Sequence, residues 1–464
     1  MSLLFNTTNA GINESLYVMD LLLNDFLGLS MTVSGLNSPY VRISVGGDDS
    51  RALLVKNILE PWNGGEAIPW EAFELRCLPM EFCGVIPKPE EKNLPVLTVK
   101  GSSERCSITR DGDIITLDFD LFTTAFYILS RVEESVNPER DSHDRFPASA
   151  SHALKNGYLH RPVVNEMVEI LCGCLKVLWP GLERKKREFQ IKLTHDVDSP
   201  FEVLFSSVGR VIKSMGGDVI KRRDVSRALS RGLSWFRLRF RGDVRLDSAY
   251  SFDLIMDIGE QHGIVDDFYF IPLNTSPFDG NYKMTDTPIL NLMKHIKNRG
   301  HNVGFHGSYE TYKDPERVKK EVRVLKEAAS SIGIEQQVWG GRQHYLRWEA
   351  PTTWRAYSEA GLNYDTTLSF ADHSGFRCGT CYPYQVFDFK TRKALDLWEY
   401  PLIVMECTVL AKKYMNLPID KAYDYISCLK KACLNYDGVF TMLWHNDHLC
   451  SNKMIDLYRK ILEE

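Results

Sequence analysis

The sequence predicts a mixed α/β protein with a smaller α/β domain at residues 1–185 and a larger domain at residues 186–464. In the larger part, strand-like and helix-like stretches alternate repeatedly, which is typical of parallel strands in a barrel or an open sheet. Between the two parts, residues 180–188 (Pro-Gly-Leu-Glu-Arg-Lys-Lys-Arg-Glu) form a polar stretch, which indicates a linker.

The elements of the first part follow from β-branched and apolar runs and from helical periodicity. The predicted strands are residues 40–45, 95–99 and 114–119, and the predicted helices are residues 121–134 and 163–178. No motif in this part predicts chemistry. A charged cluster at His143, Asp144 and Arg145 fits either a loop salt bridge or a contact with the second domain or a long substrate.

The second part contains six predicted strands and five predicted helices. The strands are residues 189–194, 267–271, 302–305, 337–340, 397–404 and 438–444, and the helices are residues 250–262, 288–298, 315–331, 352–360 and 420–434. In barrels and open parallel sheets alike, chemistry occurs at the carboxyl ends of the strands. Polar residues that directly follow a strand are therefore the candidates for a site.

Composition narrows the class of protein. The 464 residues carry a net charge of −5 with a pI near 6.2, so the overall charge gives no case for nucleic-acid binding. No stretch approaches the roughly 20 apolar residues of a membrane span, and the first residues lack the basic start of a signal peptide. The eleven cysteines are scattered, which favours reduced thiols. We therefore expect a cytoplasmic protein.

One segment departs from the alternating pattern. Residues 213–245 are dense in arginine and lysine, with Trp235, Phe236, Leu238 and Phe240 interleaved. A solvated helical insertion is one interpretation. The other is a surface for an anionic partner, such as membrane lipid or a lipid-linked substrate, with nucleic acid as a weaker candidate.

The first candidate site is Thr194-His195-Asp196-Val197-Asp198, which directly follows an apolar strand. Carboxylate oxygen and imidazole nitrogen together suit zinc, iron, manganese or cobalt better than calcium. A structural role is also open, because Asp198 could cap a helix that starts near residue 199.

The second candidate is His306, which follows the strand at residues 302–305. Ser308, Glu310 and Thr311 add oxygen groups within one turn. If this turn is helical, His306 and Glu310 share a face and could hold one ion.

The third candidate is His445, at the end of the final strand in Leu443-Trp444-His445. An imidazole with an ordinary pKa near 6.5 can transfer a proton in either direction, so this residue could protonate a leaving group. Further candidates are the segments at residues 342–347, 364–367 and 375–381. The last contains Cys378 and Cys381, but no second cysteine pair supports a zinc site.

Taken together, these motifs over residues 189–464 resemble the polysaccharide deacetylase superfamily of carbohydrate esterases. The resemblance implies a distorted (β/α) barrel of the deacetylase type and a divalent transition metal, with zinc the first choice. It implies Asp198 and His306 as metal ligands, Asp196 as catalytic base and His445 as general acid. It also places Arg342 in the motif that orients the base and Asp365 in the later aspartate motif.

The sequence departs from this family at the second metal histidine, where Glu310 stands. Glu310 or His195 could supply the missing ligand. A weaker metal site, a different metal or a protein without catalysis would also fit the departure. The arginine motif lacks the family's usual proline.

The resemblance implies hydrolysis of an N-acetyl group on an amino sugar, in a surface glycan or a nucleotide-linked or lipid-linked precursor. The alternatives are a non-catalytic carbohydrate-binding protein and a hydrolase of non-sugar amides. The residues expected to contact substrate are Ser308, Tyr345, Arg347, Arg377 and Trp444. Four segments resemble a bacterial subgroup of this family that has an N-terminal extension, and this likeness implies no particular substrate. The segments are residues 144–149, 158–162, 342–347 and 375–380.

Overall fold

The computed structural model describes residues 4–5, 13–30, 32–35, 38–45, 50–62, 67–81, 85, 93–103, 105–220, 223–449 and 451–463. It contains two sheets, one of eight strands from the first part of the chain and one of nine strands from the second. The predicted α/β class is confirmed.

The first sheet is mixed, with the order β1-β2-β3-β4-β8-β7-β5-β6. Its strands are β1 (Leu4–Phe5), β2 (Thr32–Ser34), β3 (Tyr40–Ser44), β4 (Ala52–Lys56), β5 (Phe73–Glu81), β6 (Asn93–Val99), β7 (Cys106–Asp111) and β8 (Ile114–Leu117). The helices of this part are α1 (Asn13–Asp20), α2 (Leu121–Leu129), α3 (Val132–Val136), α4 (His152–Lys155) and α5 (Val163–Leu178).

The second sheet has the order β14-β15-β13-β12-β11-β10-β9-β17-β16. Its strands are β9 (Gln190–Val197), β10 (Asp267–Phe270), β11 (Asn302–Gly307), β12 (Gly340–Gln343), β13 (Tyr364–Asp365), β14 (Tyr384–Asp388), β15 (Lys393–Glu399), β16 (Leu402–Met405) and β17 (Val439–Leu443). The helices are α6 (Val208–Ile220), α7 (Val225–Arg241), α8 (Phe252–Gln261), α9 (Thr287–Asn298), α10 (Pro315–Ser331), α11 (Thr352–Glu359), α12 (Glu406–Leu410), α13 (Ile419–Asn435) and α14 (Asn452–Glu463).

This second sheet has the connectivity of a barrel that is open at one seam. Eight strands are parallel, and the first of them in the chain, β9, pairs with the last, β17. Arg342 at β12 reaches Asp196 at β9 with an N–O distance of 2.8 Å. In a flat sheet, neighbouring strands are about 4.8 Å apart, so the three spacings between β9 and β12 would place these two residues too far apart for a hydrogen bond. The sheet therefore curls, and among the described strands no pairing joins β15 to β16 to close it.

Three predicted elements differ from the structure. The helix at residues 121–134 is broken into α2 and α3, because Arg131 adopts a left-handed backbone conformation with φ of 55°. The strand expected at 337–340 begins only at Gly340, and the one expected at 397–404 is split between β15 and β16. Residues 400–401, a Tyr-Pro pair, separate those two strands, in keeping with the missing donor of proline.

Gly340 offers a test of the packing between β12 and β13. Its Cα lies opposite that of Tyr364, and a Cβ on Gly340 would overlap the Tyr364 ring. The ring cannot easily move, because its hydroxyl donates to Asp267 at 2.7 Å. We expect Gly340→Ala to lower the free energy of unfolding by about 1–3 kcal/mol in urea titrations. The control is Gly209→Ala in α6, where a Cβ meets nothing within 4 Å, and it should not destabilise.

Within the described part of the chain, no helix combines the length and the apolar character needed to cross a membrane. Cys378 and Cys381 are both buried and reduced. Burial raises the pKa of the Cys378 thiol, which is the opposite of the shift that activates a redox cysteine.

Candidate metal centre

The site begins at the carboxyl end of β9. Side chains two residues apart on a strand point to the same side, and those between them point to the other. Asp196 and Asp198 both face His306, whose Nε2 lies 3.6 Å from Asp196 Oδ2 and 3.2 Å from Asp198 Oδ1. His195 points away from them. Its Nδ1–H donates to the carbonyl oxygen of Trp444 at 2.8 Å, and it is not part of the centre.

A second imidazole completes a group of three. His344, directly after β12, places Nε2 3.4 Å from Asp198 Oδ2. One ligand atom from each of Asp198, His306 and His344 lies within 4.8 Å of the other two. A carboxylate and two imidazoles are a donor set of the kind that holds zinc and related ions. The three residues therefore fit a divalent transition metal.

Hydrogen bonds fix both rings with one nitrogen toward this point. The Nδ1–H of His306 donates to the carbonyl oxygen of Arg342 at 2.9 Å, and the Nδ1–H of His344 donates to Asp279 at 3.0 Å. Both Nε2 atoms are then free of protons in the neutral rings, which is the arrangement that metal-ligating histidines show. Neither His306 Nε2 nor Asp198 Oδ1 makes a hydrogen bond of acceptable geometry, although both are buried.

The electrostatics match a site built for a cation. Burial raises the pKa of Asp198, but His344 and His306 lower it well below its usual range. Burial lowers the pKa of His344, yet Asp198 and Asp279 raise it to about 9 on balance. The carboxylates thus attract positive charge to this point, either protons on the rings or a bound ion.

Asp196 is held by Arg342. The fully buried guanidinium donates to Asp196 Oδ1 at 2.8 Å, to the Thr194 hydroxyl at 2.8 Å and to the carbonyl oxygen of Thr366 at 3.0 Å. The bonds to Thr194 and Thr366 hold the guanidinium in place, and the remaining bond holds Oδ1 of Asp196. Its other oxygen remains directed at His306.

His445 also lies beside Asp198, with its Nε2 3.7 Å from Asp198 Oδ2. Its Nδ1–H donates to Glu406 at 2.5 Å, and the same carboxylate oxygen accepts from His448 at 2.7 Å. Burial lowers the pKa of His445, but Glu406 raises it well above the usual value on balance. Glu406 directly follows β16, and sequence reasoning missed it although it occupies the same strand-end position as the other site residues.

Glu310 does not join the centre. It belongs to a turn that follows β11, which continues as a strand to Gly307, so His306 and Glu310 share no helical face. Its side chain is 47% exposed, with Arg347 at 3.8 Å. The expected role of Glu310 and His195 as ligands is therefore corrected in favour of His344. The signal for His344 was its position at a strand end, in a segment already singled out.

Several other expected site residues lie in the interior. Asp365 is fully buried and binds Thr367 rather than any of the site histidines. The hydroxyl of Ser308 donates to Glu321 at 2.5 Å, and Arg377 is buried against Glu134. Trp444 packs against Tyr458 at 5.1 Å between ring centroids. The catalytic role expected for Asp365 and the substrate contacts expected for Ser308, Arg377 and Trp444 are corrected, because each side chain is enclosed by protein.

Aromatic side chains form a rim beside the centre. Tyr345 is half-buried next to His344, and Phe278 and Tyr309 lie 5.5 and 5.3 Å from its ring. Arg347 stacks below the rim at 4.0 Å from the Tyr309 ring, so it supports the tyrosine and is itself buried. Of the residues expected to contact substrate, Tyr345 is the one that lies at the open edge.

The first part of the chain contributes to this rim. His143 lies 4.9 Å from the ring of Tyr345 and binds the Tyr309 hydroxyl at 2.9 Å. Arg145 donates to the carbonyl oxygen of Tyr345 at 2.9 Å. The charged cluster at residues 143–145 is thus a contact between the two parts of the chain, at the edge of the site.

A family of unknown function, DUF7033, matches residues 3–180. No curated protein matches the chain. A protein assigned as a polysaccharide deacetylase from Mycobacterium smegmatis is 14% identical, with a TM-score of 0.39 over 60% of this chain and 84% of that one. Puue allantoinase is 13% identical, with a TM-score of 0.37 over 61% and 85%. The Xyl-CE4 domain of a xylanase from the hindgut metagenome of Trinervitermes trinervoides is 11% identical, with a TM-score of 0.29 over 60% and 82%.

Proposed function

We propose that this chain is a metal-dependent hydrolase that removes an N-acetyl group from an amino sugar of a surface glycan or its precursor. One observation carries the proposal. A carboxylate and two oriented imidazoles converge at the carboxyl end of the sheet, between an aspartate held by arginine and a histidine held by glutamate. This arrangement supplies a cation site with one candidate base and one candidate acid beside it.

Asp198, His306 and His344 would hold the metal, and three protein ligands leave a position open for chemistry. A divalent ion bound there supplies Lewis acidity, which polarises a carbonyl oxygen and lowers the pKa of water. Zinc is the first choice because two imidazoles and one carboxylate suit it, with iron, manganese and cobalt as alternatives.

Asp196 is the proposed base. Arg342 keeps one of its oxygens occupied and holds the carboxylate in place, while the other faces the centre. Asp196 takes the proton of the attacking water as the new bond forms between the water oxygen and the acetyl carbon. Because the carboxylate is already oriented, little reorganisation is needed at that step.

His445 is the proposed acid. Glu406 accepts from its Nδ1–H, which leaves Nε2 directed at the site. The Nε2 proton passes to the sugar nitrogen as the bond between carbon and nitrogen breaks, and the products are acetate and the free amine. Glu406 is a positioning residue, since it orients the imidazole and does not touch the reacting atoms.

The sugar ring would lie on the aromatic rim of His143, Phe278, Tyr309 and Tyr345. The apolar face of a pyranose fits against aromatic rings, and Phe278 is 48% exposed and available for such contact. The choice of an N-acetyl amino sugar rests on the motif resemblance together with this rim.

The non-catalytic alternative was motivated by Glu310 at the place of a metal histidine. Because His344 lies beside Asp198 and His306, the glutamate at position 310 no longer argues against a metal centre. Hydrolysis of a non-sugar amide uses the same base and acid and stays an outcome of the substrate test.

We expect His445→Ala to reduce the turnover number by roughly 10²–10⁴-fold, because the leaving amine loses its proton donor. The assay is acetate release from N-acetylated oligosaccharides and nucleotide sugars by metal-loaded protein. The ion held by Asp198, His306 and His344 should be retained, since His445 is not one of these three residues.

The matched control is His448→Ala, which removes the other histidine bound to Glu406 but leaves His445 in place. It should lose much less activity than His445→Ala. A wild type that carries its metal and releases no acetate from any of these sugars would contradict the proposed substrate. Release from simple acylated amines alone would support the non-sugar alternative.

A further inference from the structure

Helices α6 and α7 form a helical hairpin (residues 208–241) with an unusual surface. Among the residues that the structure describes, fourteen large apolar side chains are exposed, and nine of them belong to this hairpin. They are Val208, Ile212, Val219, Ile220, Val225, Leu229, Leu233, Phe236 and Phe240. Apolar patches of this kind are rare on isolated proteins and mark surfaces that bind something.

The exposed residues are ordered by helical spacing. In α7 they are spaced by four, four, three and four residues, so at 3.6 residues per turn they form one stripe. They are Val225, Leu229, Leu233, Phe236 and Phe240. In α6, Val208, Ile212 and Val219 also share one face. Phe236 and Phe240 pack at 4.3 Å and are still 54% and 72% exposed.

The opposite side of the hairpin is attached to the protein. Val211 and Leu238 pack on Val203, and the buried Arg231 donates to Asp218 at 3.0 Å and pairs with Glu202. Each helix therefore has a packed face and an apolar face that points outward. The outward face is not needed for the fold that the structure describes.

Charge separates this hairpin from the rest of the chain. Residues 208–241 contain ten lysines and arginines and two aspartates, a net charge of +8 in a chain whose net charge is −5. The remainder therefore carries −13. Arg210, Lys213 and Arg237 are among the exposed basic residues of the hairpin. An acidic body with one basic, apolar projection is complementary to an anionic, apolar surface.

We propose that the helical hairpin docks on a membrane surface that contains anionic phospholipids. Helices with an apolar face and flanking lysine and arginine lie in the plane of such an interface, with apolar side chains among the acyl chains and cations at the headgroups. A folded protein partner would need a complementary groove and acidic rim. A bilayer that contains anionic lipids can contact both apolar stripes and the basic side chains without a preformed groove.

The hairpin is inserted between β9 and α8 and begins ten residues after Asp198, so it follows the end of β9 that carries the candidate site. A cavity of about 510 Å³ lies between the hairpin and the loops of the site. It is lined by hairpin residues Asp224, Ser226 and Ser230 and by Ser199 and Asp447 of those loops. If the proposed function holds, this cavity would receive the polar part of a lipid-linked saccharide, and this assignment rests on that function. The docking itself does not depend on that reaction.

The test is flotation of the full-length protein with phosphatidylcholine vesicles, with and without phosphatidylglycerol. The wild type should bind the anionic vesicles only, and added salt should weaken binding. The variant Leu229→Ser/Phe236→Ser/Phe240→Ser should bind at least roughly tenfold more weakly, because three apolar anchors are lost. Lys213→Ala/Arg237→Ala should bind roughly twentyfold more weakly.

Val338→Ser/Leu434→Ser is the matched control, since these side chains are 56% and 48% exposed outside the hairpin. It should bind as the wild type does. Circular dichroism should show that all variants fold, because the altered side chains are exposed. The proposal is overturned if the wild type stays with the aqueous fraction. It is also overturned if the wild type is a dimer in solution that the triple serine variant converts to monomers without any vesicle binding, which would assign the face to a second copy of this chain. Because the vesicles contain no sugar substrate, neither outcome depends on deacetylation.

Discussion

Replacing His344 with alanine is expected to abolish tight metal binding and acetate release together. His344 is one of three side chains whose ligand atoms converge, and Asp279 already fixes its ring with Nε2 toward Asp198. Changes that only disturb the partner of a ligating histidine cost roughly 10–100-fold in metal affinity. Loss of the imidazole itself should exceed this range, whereas Asp279→Asn should fall within it.

The measurement is metal content after dialysis, followed by competition with a chelator of known affinity. Glu310→Gln is the matched control, because Glu310 is the residue that the sequence pattern favoured and its side chain is half exposed. It should retain the wild-type affinity. Metal loss in Glu310→Gln with retention in His344→Ala would show that the loop after β11 rearranges around the ion, and would refute the assignment of His344.

The contrast between these two residues shows where sequence reasoning ends. Asp196, Asp198 and His306 could be placed at strand ends from local pattern alone, since alternation along β9 determines which side chains share a face. The third ligand depends on which strand lies next to β11. His344 lies 38 residues after His306 in the chain, and only the pairing of β11 with β12 brings the two side chains together.

The same reason explains the other corrections. Arg377 is a cation in a segment that the sequence singled out for substrate binding. In the folded chain, its partner is Glu134, 243 residues earlier. Glu406 stands at a strand end like the other site residues, but its role depends on His445, at the end of the neighbouring strand β17. Burial and long-range ion pairs are properties of the folded chain, and no spacing within one segment encodes them.

The largest effect on stability is expected at Glu134. Its carboxylate receives two hydrogen bonds from Arg377, at 2.9 and 2.6 Å, and one from Arg131 at 2.9 Å, and all three side chains are at most 4% exposed. These contacts join α3 of the first part of the chain to the loop before β14 in the second. Removing the anion leaves the buried Arg377 without its carboxylate partner and leaves Arg131 with Glu133, at 3.7 Å. Breaking a buried ion pair in this way costs about 3–5 kcal/mol. Since whole proteins are stable by only about 5–15 kcal/mol, Glu134→Gln should be severely destabilised.

Urea unfolding followed by circular dichroism measures this loss. Glu139→Gln is the control, because Glu139 pairs with Lys155 at 3.9 Å but both side chains are more than half exposed. An exposed pair contributes less than about 1 kcal/mol. A similar small loss in Glu134→Gln would mean that the two arginines find other partners, and that this ion pair does not hold the two parts together.

The pH dependence of the same variant gives an independent check. Burial raises the pKa of Glu134, but Arg377 and Arg131 outweigh it and lower the pKa below its ordinary value of 4.5. A carboxylate with a lowered pKa stabilises the fold above its unfolded-state pKa, and this stabilisation is lost as the pH falls through the folded-state value. The gap in unfolding free energy between wild type and Glu134→Gln should therefore be constant near neutral pH and narrow below about pH 4.5. A gap that stays constant into acid would assign the loss to altered packing, and not to the charge of Glu134.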